Sequence, residues 1–181
     1  RDRSVRGRGL RRHGGGRAQL VDASPLADGW FQTGDLGRIE GDGRIHLLGR
    51  ETDVINVAGH RLSTGELEQA LAGHPEIAEC AVIGVADPLK GTVPVGLVVR
   101  KSGTTTPAPQ LLAQLVQRVR DEVGPVAAFQ RCHIVARLPK TRSGKILRGT
   151  MRRIADGLPY ETPATIEDPL VLAEIARALE P

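Results

Sequence analysis

Four short stretches of this chain carry residue types that could do chemistry. They are "TGD" at Thr33 to Asp35, "GR" at Gly49-Arg50, "NVAGHRLSTGELE" at Asn56 to Glu68, and "PKTRSGK" at Pro139 to Lys145. The last is the most pointed. Only Lys90, Lys101, Lys140 and Lys145 are lysine, so 21 of the 25 basic residues are arginine. A chain that favours arginine yet keeps Lys145 beside Gly144 reads as one that needs a compact ammonium with three donors there. Such a group stabilises negative charge that develops on several oxygens at once. The same two residues also describe a solvated basic turn before a helix. Asp35 sits in a hairpin loop, where an aspartate caps the amides of a turn. Arg50 ends a strand-like run, Gly59 sits in a turn, and His60 beside it is either a base or a bystander. Taken singly, none of the four decides.

The elements that must position them follow from periodicity. Residues 18–50 read as short β structure, with "FQTGDLGRIEGDGRIHLLGR" alternating around the turn at Gly41 to Gly43. "DVINVAGHRLS" gives a second strand pair around Ala58-Gly59. Ser63 and Glu66 frame a helix with a Leu67, Ala70 and Leu71 stripe, stopped by Gly73 and Pro75. "CAVIGVA" and "VPVGLVVR" are apolar on both faces, as central strands covered by helices would be. A helix over 110–123 presents Leu112, Leu115, Val116, Val119 and Val123, and Gly124-Pro125 ends it. A strand over 130–136 leads to the lysine loop. A helix with Leu147, Met151 and Ile154 follows, and a short amphipathic helix closes the chain. The expectation is an α+β domain: a short hairpin plus a three-stranded sheet, flanked by helices.

Composition narrows the function classes. With 40% hydrophobic and 25% charged residues the chain reads as a globular protein, without an apolar run of membrane length or an apolar signal core. Cys80 and Cys132 lack Cys or His neighbours at metal-ligand spacing, which predicts reduced, buried thiols and a cytoplasmic setting. Residues 1–17 hold seven arginines and one aspartate, a net of +6; the whole chain is +4, so the remainder carries −2. The basic character therefore lies in an Arg/Gly arm read as disordered. Four aromatics without a stacking stripe make nucleic acid a poor match for the folded body.

Together, and in this order, the four stretches resemble the C-terminal portion of the adenylate-forming acyl-CoA synthetases. "INVAGHRLSTGELE" and "LPKTRSGKILRGTMRRIADG" are most similar to the short-chain acetyl- and propionyl-CoA synthetase branch, with a lean to the propionyl side. The resemblance implies three segments: the arm at 1–17, a β-rich remnant of the large AMP-binding domain at 18–50, and the C-terminal domain at 51–181. It implies a two-step reaction in which a short-chain carboxylate and ATP give an acyl-adenylate and pyrophosphate, and CoA thiol then displaces AMP. Lys145 matches the lysine bridging carboxylate and nucleotide in the first step. Asp35 and Arg50 match contacts to the ATP ribose, and Arg61 a phosphate contact. Gly59 matches the glycine beside the CoA channel. Arg120 matches an arginine near the CoA nucleotide, with a solvated helix face as the alternative. The hinge falls at Thr52, where relatives carry Asp or Lys, with Asp53 able to serve instead. ATP, Mg2+ and CoA are the implied cofactors, with no protein metal site. The larger AMP-binding domain is the missing partner, without which the chain is expected to be inactive. A lysine acyltransferase acting on Lys145 is a further implied partner. The alternative reading is a stand-alone CoA- or nucleotide-binding or regulatory module.

Overall fold

The structure, a computed structural model, describes residues 5–6, 35–39, 41–50 and 53–180. The chain divides into two compact units, Arg1–Thr52 and Asp53–Pro181. In the first unit β1 (Val5–Arg6), β2 (Asp35–Ile39) and β3 (Ile45–Arg50) form an antiparallel sheet in that order. The β2–β3 pair turns at the anticipated "GDG", where Asp42 accepts from the Arg44 amide and pairs with its guanidinium at 2.6 Å. Val5–Arg6 pairs with Leu36–Gly37; the other residues of the 1–17 arm lie outside the described residues.

The second unit is a five-stranded sheet with helices on both faces. β4 (Val54–Val57) and β5 (His60–Ser63) make the second hairpin, followed by α1 (Thr64–Ala72). β6 (Ile77–Asp87) and β7 (Gly91–Arg100) run antiparallel across a tight turn. Then come α2 (Ala108–Glu122), a 3-10 turn at Pro125–Ala127, β8 (Arg131–Ile134), α3 (Arg148–Ala155) and α4 (Val171–Leu179). β8 lies parallel to β7, which requires a crossover, and α2 supplies it. The hairpin is not separate from the sheet as expected, because Val57 bridges Gly91 and continues β4 onto β7.

Two cores sit on the two faces. Ile55, Val57, Leu67, Leu71, Val82 and Val98 pack under α1 and α2, while Ala81, Ile83, Val95, Leu97, Met151 and Ile175 pack under α3 and α4. This explains the doubly apolar runs: alternate residues of β6 and β7 feed opposite cores. β6 is nevertheless the last strand of the order rather than a central one. On α2 the fully buried line is Leu111, Leu115 and Val119; Leu112, Val116 and Val123 flank it half-buried. The expected stripe was therefore rotated by part of a turn, since a four-residue spacing and a mixed three-four spacing fit the same apolar letters. Gly96 is needed for packing: a Cβ there would meet Phe129 Cζ at 2.8 Å and Cys132 Sγ at 3.1 Å.

Candidate functional site

The lysine loop is a built structure and not a loose turn. Gly144 N–H donates to the Thr141 carbonyl at 2.8 Å, and Thr141 N–H donates to the Lys145 carbonyl at 2.8 Å. Gly144 has φ +82°, a left-handed value that lets the turn close and that a Cβ would oppose. Thr141 Oγ1 accepts from the Lys145 amide at 3.1 Å and lies 3.0 Å from Ser143 Oγ. The stem is held from both sides. Leu147 N–H donates to Pro139, Glu167 N–H to Lys140, and Arg142 N–H to Thr165. Lys140 is bound at the stem, its ammonium 2.6 Å from Glu79. Lys145 is exposed at the tip, and among the described residues no carboxylate pairs with it.

Sequence reasoning missed the group that braces this loop. Arg148, three residues beyond Lys145, grips Glu68 of α1 through two bonds: Nε to Oε1 at 2.9 Å and Nη2 to Oε2 at 2.8 Å. Glu68 Oε1 also accepts from the Val82 amide at 2.8 Å, so one carboxylate ties α1, β6 and α3. Hydrogen bonding to Glu68 raises the Arg148 pKa against the opposing effect of burial, with the nearby charge of Asp53 adding to it. Glu68 and Arg148 are 80 residues apart, and neither lies in a pattern that predicts the other.

The second hairpin carries Gly59 and Arg61. Val57 faces His60 across a two-residue turn in which Ala58 has φ +48° and Gly59 φ +91°. Two left-handed residues in sequence match the turn that suits the strand twist. A Cβ at Gly59 meets nothing within 4 Å, so packing inside this chain does not demand a glycine there. Arg61 is exposed on β5 opposite Asn56. Arg120 is exposed in the last turn of α2. Asp35 and Arg50 are direct register partners at the open end of the β2–β3 hairpin. Thr52 lies outside the described residues. Asp53 opens the second unit and is half-buried.

The geometry therefore groups the candidates in pairs: Asp35 with Arg50, Gly59 with Arg61, and Asp53 with the Glu68–Arg148 brace. It does not bring Lys145 to the hairpin. The loop is attached through Leu138, Ile146 and Leu147 to the core under α3 and α4, whereas the hairpin feeds the core under α1 and α2. Among the described residues no cluster of three or more His, Cys, Asp or Glu side chains could hold a metal ion.

The glycine–lysine loop and the Gly59–Arg61 hairpin both lie in the second unit, and comparison with known proteins bears on that unit. Residues 66–145 match the model of the AMP-binding enzyme C-terminal domain. Those residues are an AMP-binding enzyme C-terminal domain. It is 56% identical over 151 residues to an uncharacterized protein of Pseudomonas aeruginosa, covering 83% of this chain and 24% of that protein. It is 50% identical to the mitochondrial acyl-CoA synthetase short-chain family member B of Dictyostelium discoideum, covering 81% of this chain and 21% of that one. The crystal structure of the Brucella canis acyl-CoA synthetase superposes with a TM-score of 0.55 at 35% identity, over 74% of this chain and 24% of that one. The chain thus spans less than a quarter of the length of these proteins. The α+β expectation holds for this C-terminal domain, as a five-stranded sheet with four helices.

Proposed function

We propose that this chain supplies the C-terminal domain for ATP-dependent synthesis of a short-chain acyl-CoA, acetyl or propionyl, through an acyl-adenylate. One observation carries the reading: Lys145 stands at the tip of a hydrogen-bonded, braced loop with no carboxylate partner among the described residues. A loop held that way fixes the anchor of the side chain and leaves its ammonium unspent for oxyanions arriving from another domain. Lys145 would bridge the carboxylate and the α-phosphate. Asp35 and Arg50, opposite each other in the first unit, would hold the ribose. Gly59 and Arg61 would serve the thioester step, and Arg120 would lie near the CoA nucleotide. The unit boundary between Thr52 and Asp53 supports a hinge there, with Asp53 near Arg148 on the lysine side. Magnesium would arrive with the ATP phosphates and polarise them; we assign it no ligand in this chain.

The test is pyrophosphate release with ATP, magnesium and either acetate or propionate, first with the chain alone and then with the larger AMP-binding domain of a relative added in trans. Release that requires both polypeptides and disappears with Lys145→Ala is the expected result. Release that survives Lys145→Ala would overturn the lysine's role. Binding of CoA with no release under any combination would favour the stand-alone binding module.

A further inference from the structure

Two edges of the five-stranded sheet are finished differently. On β6, amides that point away from β7 are taken by side chains: Val82 N–H donates to Glu68 at 2.8 Å and Ala86 N–H to Asp156 at 2.8 Å. A strand edge covered in this way is closed to pairing with another chain. β8 has no such cover. It pairs with β7 alone, and Val135 N–H extends that ladder by donating to the Val98 carbonyl at 2.9 Å. Backbone groups of an extended strand turn to alternate sides, so residues 131, 133 and 135 face β7. The N–H and C=O of Cys132 and Ile134 therefore face outward. Among the described residues nothing bonds to them.

A groove of about 460 Å³ lies along this open edge, between β8 and α2. Its α2 wall includes Leu112 and Val116, which are only half-buried beside the fully buried line of Leu111, Leu115 and Val119. The apolar face of α2 is thus wider than the core beneath it requires. From β8 the groove takes Cys132, which packs on the α2 side, and Arg131 and His133, which alternation turns to the other face. The bond of His133 to the Ala178 backbone of α4 agrees with that placement. No carboxylate lines the groove, and Arg131 forms no ion pair among the described residues.

We infer that the β8 edge accepts an extended segment of a partner polypeptide as a further strand, with apolar and acidic residues alternating along that segment. Main-chain bonds to Cys132 and Ile134 would hold it, as in other cases of strand addition to an exposed edge. The pleat sets the alternation. Side chains turned toward α2 meet Leu112 and Val116, and those turned the other way lie beside Arg131 and His133. A carboxylate there pairs with an arginine that has no other partner. Edge and groove stand apart from the ligase reading, since neither Lys145 nor the Gly59 turn lines them.

The test is a titration of the full 181-residue chain with a blocked hexapeptide of alternating valine and glutamate, followed by NMR and amide hydrogen exchange. The peptide should slow exchange at Cys132 and Ile134 and shift the methyl signals of Leu112 and Val116. A valine–lysine hexapeptide should bind about tenfold more weakly, and Arg131→Glu should reverse that preference. A valine–glutamate peptide N-methylated at every residue, which leaves the protein untouched, should not bind, because it has lost its main-chain donors. Unchanged exchange at Cys132 and Ile134 would overturn the inference and make the short strand with its arginine a guarded edge. Equal affinity for the N-methylated peptide, or indifference to the charge reversal, would overturn it as well. Protection of those two amides in the chain alone, rising with its concentration, would replace the partner segment with a second copy of this chain. None of these measurements contains ATP or a carboxylate substrate, so failure here leaves Lys145-dependent pyrophosphate release standing, and failure of that release leaves the open edge standing.

Discussion

At the scale of single residues, the brace and the turn glycines separate what the fold needs from what a ligand needs. Glu68 holds Arg148 through two bonds and the Val82 amide through a third. Glu68→Ala would strand a half-buried guanidinium and an amide together. A loss of about 2 kcal/mol in urea-denaturation stability is expected, and Glu68→Gln, which keeps an acceptor for Val82, should lose less. Gly59 gives the contrasting case. Its surroundings are empty within this chain, so Gly59→Leu should cost only the strain of a left-handed side chain, about 1 kcal/mol in the same measurement. If the proposed role is right, thioester formation with the larger domain present should be abolished while pyrophosphate release continues. Equal loss of both would assign Gly59 a structural role. The turns that carry Gly59 and Gly144 were legible in the sequence because turn chemistry is local, whereas the roles given to Lys145, Gly59 and Arg61 came from the resemblance alone. The Glu68–Arg148 brace was not legible, because only the folded chain makes 80-residue neighbours.

At the scale of elements, apolar pattern predicted what exists and misjudged how it is arranged. The α1 stripe of Leu67, Ala70 and Leu71 is buried as expected, and Ser63 Oγ accepts from the Gly65 amide to start that helix. The α2 stripe turned toward Leu111 because α2 meets both α1 and β8, a tertiary fact that no single-helix period contains. The sheet was undercounted because the bridge from Val57 to Gly91 is one residue pair, too small to leave a trace in composition. Gly96 lay inside an apolar run and carried no warning of its role. With Phe129 and Cys132 pressed against its missing Cβ, Gly96→Ala should destabilise the domain by about 1 to 3 kcal/mol, measured by thermal unfolding. At the hairpin tip the sign reverses. Ala58→Gly removes a left-handed alanine and, net of the glycine's greater freedom in the unfolded chain, should stabilise by up to about 1 kcal/mol in thermal unfolding.

At the scale of the whole molecule, buried titratable groups should bound the pH range in which the domain is most stable. Burial pushes the Cys80 thiol up to about 11 and the Cys132 thiol up to about 12, from an ordinary 9.0. Burial lowers His133 from 6.5, partly countered by its bond to the Ala178 backbone. Above pH 9 the unfolded chain releases thiol protons that the folded chain retains, so stability falls as pH rises toward the folded values. Below about pH 6.5 the unfolded chain binds a proton at His133 that the fold resists, so stability falls as pH drops. Between those limits none of the three groups contributes a slope. Thermal unfolding followed across this range should show a plateau with a decline on each side. Cys132→Ala should flatten the alkaline decline without moving the acid one, because Cys132 carries the larger of the two thiol shifts. An alkaline limb unchanged in that variant would mean that Cys132 titrates alike in the folded and unfolded chain. The sulfur would then lie in water, and the packing of Phe129 and Cys132 against Gly96 would be wrong with it.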